Sequence, residues 1–324
     1  MRHPSLRFKE VASVGVLLIV AMIWGLCFVA QRAAMEYIGP FLFNGIRCIL
    51  AVLFVLLVLL VMWLARRWRP VSITPTNEAS PRNPAPLRLR SVLFAGLICG
   101  VVLYLGSNMQ QIGLVYVTAS KSAFITTLYI VMVPVIGIFL KHKTRWNTWV
   151  SVGIAVIGLY LLCISTTLSL QGGDTILIVC ALFWALQILV VGHFAPRLSL
   201  MQLFGMCTVQ FLVSGVLSLL SAPLFDGFFV NTPLTTEAVF TVAPELLYAG
   251  LLSTGVSFTL AAIAQRYTKP TPAALVMSTE SVFGLLGGVL LLGEVLTFRE
   301  SFGCGLLLVA VILTQLDFTK PSIC

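Results

Sequence analysis

Charge is scarce in this chain. Only 10% of its residues are charged, and twenty Lys and Arg outnumber eleven acids, for a formal net charge of +9. Soluble domains carry about 25% charged residues, so an ordinary water-facing surface is excluded. Metal-ligand spacing is also missing. The three histidines (His3, His142, His193) are scattered, and no two of the eight cysteines form a CxxC pair. Structural and catalytic zinc sites need such clustering, so neither a metal nor a cofactor is expected. All the cysteines except Cys324 fall in apolar stretches, where a free thiol behaves as a small hydrophobe.

Catalytic signatures are absent too. The chain has no GxxxxGK[ST], no HExxH and no GxSxG, which removes the usual nucleotide, zinc-protease and serine-hydrolase readings. Gln171-Gly172-Gly173-Asp174 comes near a Gly-rich acid motif but opens an apolar stretch. The chain therefore reads as a non-enzyme. Its positive charges flank apolar stretches instead of forming one basic patch, so nucleic acid is not an expected partner.

What the chain has in abundance is apolar length. It is 59% hydrophobic over 324 residues, with a mean hydropathy of +1.04. A helix crosses a bilayer with about 20 apolar residues. Ten runs qualify: 11–31, 41–64, 91–113, 119–139, 148–166, 174–194, 199–221, 243–265, 272–292 and 301–317. The expected fold class is all-α, a polytopic membrane protein whose first partner is the lipid bilayer. The first run follows Arg2, Arg7 and Lys9 but is too long for a signal peptide and reads as a span.

The runs divide into two units with the same layout, 1–166 and 167–324. Each has two spans, a long polar loop, then three closely linked spans. Loop 65–90 holds six arginines against Glu78, whereas loop 222–242 has no Lys or Arg, only Asp226 and Glu237. Lys and Arg accumulate on the cytoplasmic side, so matching loops lie on opposite sides. A five-span unit is odd, and its second copy enters the membrane upside down. With the N-terminus inside, sixteen of the twenty Lys and Arg residues are cytoplasmic; Arg32, Arg47, Lys121 and Arg299 remain. Both termini and loop 65–90 are then expected in the cytoplasm, and the location is a plasma or bacterial inner membrane. Trp63, Trp68, Trp146 and Trp149 flank the cytoplasmic ends of the second and fifth spans, as interfacial anchors do. Inverted repeats build many secondary transporters, with the solute site at the midplane.

Polar residues inside the spans are costly. Arg47 falls about 9 Å into the second span at 1.5 Å per residue, and Lys121 lies near the end of the fourth. Both are candidates for an anion contact, with snorkelling as the structural alternative. Glu280, near the middle of the ninth span, is a candidate for proton or ion coupling, or for a buried helix–helix hydrogen bond. Trp24, Phe28 and Gln31 share one helix face, as do Asn44 and Arg47, Tyr104 and Asn108, and Ser122, Thr126 and Tyr129. Gln187 and Gln210 lie at mid-depth. Together these outline a wet cavity suited to an amphipathic small molecule. Gly96–Gly100 and Gly284–Gly288 are spaced for close helix approach.

Certain motifs resemble a known family. Trp24-Gly25-x-x-Phe28, Arg47, and Gln111-x-Gly113-Leu114-x-Tyr116-x-x-Ala119-x-x-x-Ala123-Phe124-Ile125 followed by Leu128-Tyr129 and Pro134 are similar to EamA-type drug/metabolite transporters. So is Gly293-Glu294-x-Leu296-Thr297 followed by Gly303. Between the units, Trp24 aligns with Trp184, and Tyr116 and Ala123 align with Tyr267 and Ala274 at one offset. Where that family often has Glu-Pro in the ninth span, this chain has Glu280-Ser281, and His142 stands where the second unit has Glu294. The resemblance implies ten helices in an inverted-repeat bundle and transport of small metabolites, often by export. The leading expectation is therefore an exporter of amino acids or similar solutes working by alternating access. An uncoupled facilitator or channel is the alternative.

Overall fold

The computed structural model describes residues 4–68, 89–141, 146–163, 172–229, 235–292 and 297–315. Most of the Arg-rich loop, His142 and the Gly293-Glu294 pair lie outside the described residues.

Every regular element among the described residues is helical. The long ones are α1 (Pro4–Ala34), α2 (Pro40–Trp68), α3 (Leu89–Tyr116), α6 (Trp146–Cys163), α7 (Gly172–Phe194), α8 (Leu200–Phe225) and α14 (Phe298–Gln315). Three stretches are interrupted. α4 (Ala119–Thr127) passes into α5 (Tyr129–Phe139), and α12 (Pro270–Met277) into α13 (Glu280–Leu292). After the short α9 (Thr236–Thr241), α10 (Ala243–Leu247) widens into a π-helical stretch, Tyr248–Val256, before α11 (Ser257–Ala264). Seven segments among the described residues are long and apolar enough to cross a bilayer, and Trp146–Leu161 is a shorter apolar helix. The chain is an all-helical, multi-pass membrane protein. Its outer faces agree with lipid: Leu53, Leu57 and Val61, one turn apart on α2, are 58%, 57% and 55% exposed.

Local chemistry sets the helix starts. Pro40 and Pro270 open α2 and α12, where their missing N–H costs no helical bond. Ser199 and Gln202 form a reciprocal capping box at the start of α8.

Local chemistry also makes the breaks. At the first, the Thr126 hydroxyl donates to the Ser122 carbonyl at 2.7 Å and the Thr127 hydroxyl to the Ala123 carbonyl at 2.5 Å. At the second, Ser278 and Thr279 donate to the Leu275 and Val276 carbonyls, each at 2.7 Å. Side chains that compete for helix carbonyls bend helices. The second break sits directly before Glu280 although no proline follows it; paired hydroxyls do the work expected of that residue.

The main packing runs between units 1–166 and 167–324, not within them. α6 lies on α14, α2 on α8 and on the π-helical stretch, α3 on both α7 and α8, and α1 on α11 and α13. These neighbours run antiparallel. The first N–H groups of α2 reach Asp226 beyond the end of α8, Asn147 at the start of α6 donates to Leu313 near the end of α14, and α4 meets α13 while α5 meets α12. Small residues allow the closest crossings. A Cβ at Gly25 would collide with the Glu280 carbonyl, and one at Gly100 would come within 2.9 Å of the Gln210 carbonyl oxygen.

Candidate functional site

The two breaks face each other. The Tyr129 hydroxyl, first residue of α5, donates to Glu280 Oε1 at 3.2 Å, and Glu280 is the first residue of α13. Thr127 Oγ1, on the other side of the first break, lies 3.4 Å from the same Glu280 oxygen and 3.3 Å from Ser281 Oγ. A hydroxyl has one proton, and the 2.5 Å contact to Ala123 already claims that of Thr127. The carboxyl is buried, and among the described residues no Lys or Arg pairs with it.

Around this crossing lies a cavity of about 750 Å³, mouth included. It is lined from α1, α2, α3, α7, α8, α11 and the π-helical stretch, together with the four helices of the two breaks. Trp24 and Trp184 both lean on Phe258, with ring centres 4.8 Å and 5.8 Å away. Trp24 donates its indole N–H to the Ser253 carbonyl at 2.9 Å. Ser253 lies in the π-helical stretch, where the Thr254 hydroxyl, and just beyond it that of Ser257, reach back five residues to the Ala249 and Leu252 carbonyls. Such wide turns often occur at functional sites.

Amides line the rest. Trp184 donates to Gln110 Oε1 at 2.8 Å, Gln110 to Gln31 Oε1 at 3.0 Å, and Gln31 to Cys27 Sγ at 3.2 Å. Gln187 donates to Gln210 at 3.2 Å. Arg47 is 3% exposed and lines the cavity. Its guanidinium carbon lies 5.8 Å from the Phe43 ring centre, and its Nε has no hydrogen-bond partner among the described residues. No carboxylate among them pairs with it.

Of the residues singled out in the sequence, Trp24, Gln31, Arg47, Thr126, Tyr129, Gln187, Gln210 and Glu280 meet at this cavity. Tyr104, Asn108 and Lys121 do not line it. The Tyr104 hydroxyl bonds Ser221 at 2.7 Å. Asn108 accepts from Asn44 at 2.9 Å and donates to Ser218 at 2.9 Å. These side chains join α2 and α3 to α8, as interhelical glue does. Lys121 forms an ion pair with fully buried Asp174 at 2.7 Å, so its charge is met within the protein. Lining residues that the helical-face reading missed include Gln110, Trp184, Ser253, Phe258 and Gln265. Trp184 carried a signal, its alignment with Trp24. Ser253 carried none, because a π-helix breaks the 3.6-residue period.

Comparison with known proteins agrees with this architecture. The EamA-like transporter family model matches residues 12–164 and again 171–316. An uncharacterized transporter of Archaeoglobus fulgidus is 32% identical over 302 residues, 93% of this chain and 84% of the relative. The uncharacterized transporter YoaV of Bacillus subtilis is 22% identical, covering 94% of this chain and 97% of its own. A solved structure described only as a protein crystal structure superposes with a TM-score of 0.71 at 14% identity, over 94% of this chain and 96% of that one; it speaks for the fold alone. Two family matches that together span nearly the whole length, and a relative above 30% identity, place this chain in the EamA-like transporter family.

Proposed function

We propose that this transporter exports small amphipathic metabolites, amino acids or similar solutes, across the plasma or inner membrane by alternating access. Its working architecture is ten spans in two inverted five-span units, 1–166 and 167–324, with both termini cytoplasmic. The observation that carries the reading is the meeting of the two helix breaks at the cavity. The offset of 151 that aligns Tyr116 with Tyr267 also aligns Tyr129 with Glu280, and these two side chains hydrogen-bond each other. Antiparallel pairing of equivalent spans supports the inversion as well. Discontinuous helices crossing at a solute cavity are the usual inverted-repeat design.

Within this site Arg47 attracts a carboxylate or other anion, because fixed positive charge in a low-dielectric cleft focuses anions. The Trp24, Phe258 and Trp184 rings face an apolar body, and the glutamines hold polar ends. Glu280, served by few donors, binds a proton or a cationic group during the cycle. The units interleave, so the moving bodies combine helices from both.

Efflux from cells overproducing the protein tests this reading. Preloaded amino acids should leave faster than from control cells, and against a gradient. Flux that only runs downhill would establish the facilitator reading instead.

A further inference from the structure

Arg32 is one of four cations that the cytoplasmic charge pattern does not absorb. Arg47 lines the cavity and Lys121 meets Asp174. Arg32, in the last turn of α1, donates through one guanidinium nitrogen to the Leu114 carbonyl at 2.8 Å and to the Val115 carbonyl at 3.3 Å. Both acceptors belong to the last turn of α3, whose carbonyls lack donors within the helix. That turn is also the negative end of the helix dipole.

The position matters more than the bond. α1 and α3 both line the cavity. One turn inward on each helix, Phe28 and Gln110 line the cavity, and Gln110 donates to Gln31 beside Arg32. A second contact between the two segments runs from Gln111 to Met35 Sδ at 3.5 Å. We infer that Arg32 is a reversible latch closing the cavity at the end where α1 and α3 terminate, and that its release opens this end to the solute.

Reversibility follows from exposure. Arg32 is only half-buried, so its guanidinium can swing into water without stranding a charge. Asp174 is fully buried, and opening its pair with Lys121 would leave a carboxylate without its cation, which is far costlier. Release is also tied to the solute. The Trp184–Gln110–Gln31 chain runs directly beneath the latch, and a solute that takes those amide bonds loosens the layer that aligns α1 with α3.

The latch rests on the proposed cavity and orientation, and the test keeps the two apart. Phe28→Cys places a thiol on the cavity wall in the full-length chain. A membrane-impermeant maleimide is applied to intact cells, and labelling is located by peptide mass mapping, so the native cysteines stay in place. Gly227→Cys, on an exposed residue beyond α8, reports which face that end occupies. With Arg32 present, the residue-28 thiol should label slowly from that face. Arg32→Gln should raise the rate by about tenfold or more, a shift of about 1.4 kcal/mol. Arg32→Lys, which keeps the charge but loses the planar fork, should fall between and serves if the Gln variant folds poorly. Equal rates in all three, or rapid labelling with Arg32 present, would overturn the latch. If the residue-227 thiol labels only in inside-out vesicles, the orientation is wrong and the same comparison made from that face decides the latch.

Discussion

At the scale of residues, buried polar side chains in this protein do two different jobs, and their partners tell them apart. Asn108 has both its oxygen and its nitrogen engaged by neighbours, whereas the Arg47 Nε has no hydrogen-bond partner among the described residues and its side chain lines the cavity. Arg47→Gln should cut transport of anionic or zwitterionic solutes more than that of neutral ones, read as rates across a solute panel in proteoliposomes. Equal losses would make Arg47 structural. Asn108→Leu should lower thermal stability by about 0.6 kcal/mol per lost contact, the average for polar contacts between membrane helices. It should leave the solute ranking unchanged in the same panel. Glu280→Gln retains the shape beside Tyr129 but cannot ionise. Solute binding should persist while pH-gradient-driven uptake into vesicles collapses; wild-type response to the gradient would remove Glu280 from the coupling.

At the scale of elements, α1 and α13 approach each other closely at Gly25. Gly25 packs against the Glu280 carbonyl and Gly284. Gly25→Val would force α13 and its carboxyl away, since overpacking a tight contact costs about 1–3 kcal/mol. The expected outcome is a lower melting temperature in detergent together with slower transport. An unchanged protein would mean that the crossing can relax. The faces of α3 show why the cavity was only partly legible in the sequence. Tyr104 and Asn108 share a face and the spacing of a lining pair, yet Gln110, roughly opposite, lines the cavity. Periodicity identifies a polar face but not which neighbour it meets. On α2, Arg47 lines the cavity, yet its face-mate Asn44 bonds Asn108 instead.

At the scale of the whole molecule, the orientation is open to direct measurement. Cys324 and a Glu78→Cys thiol should resist a membrane-impermeant reagent in intact cells, while a Gly227→Cys thiol should label. Labelling of residue 78 from outside would reverse the assignment. The packing between residues 1–166 and 167–324 carries a further consequence: the largest buried cluster is shared between them. Leu17 and Ile130 from the first share a buried cluster with Leu177, Leu275 and Leu307 from the second. Separately expressed halves are thus poor candidates for independent folding.

The sequence by itself determined the class of this protein. Apolar length, scarce charge and the distribution of arginines are one-dimensional quantities, and a bilayer responds to them span by span. It determined the family too, because ordered motifs survive in the chain. Paired hydroxyls at Thr126-Thr127 and Ser278-Thr279 were equally present there, though their effect on the helices shows only in three dimensions. The tertiary structure alone decided that the breaks meet, that Lys121 belongs to Asp174, that Gln110 and Ser253 face the cavity, and that Arg32 joins α1 to α3. Each is a contact between residues more than fifty positions apart, or a departure from the 3.6-residue turn. Local patterning cannot specify such contacts, because helix packing chooses among faces that one span leaves equivalent.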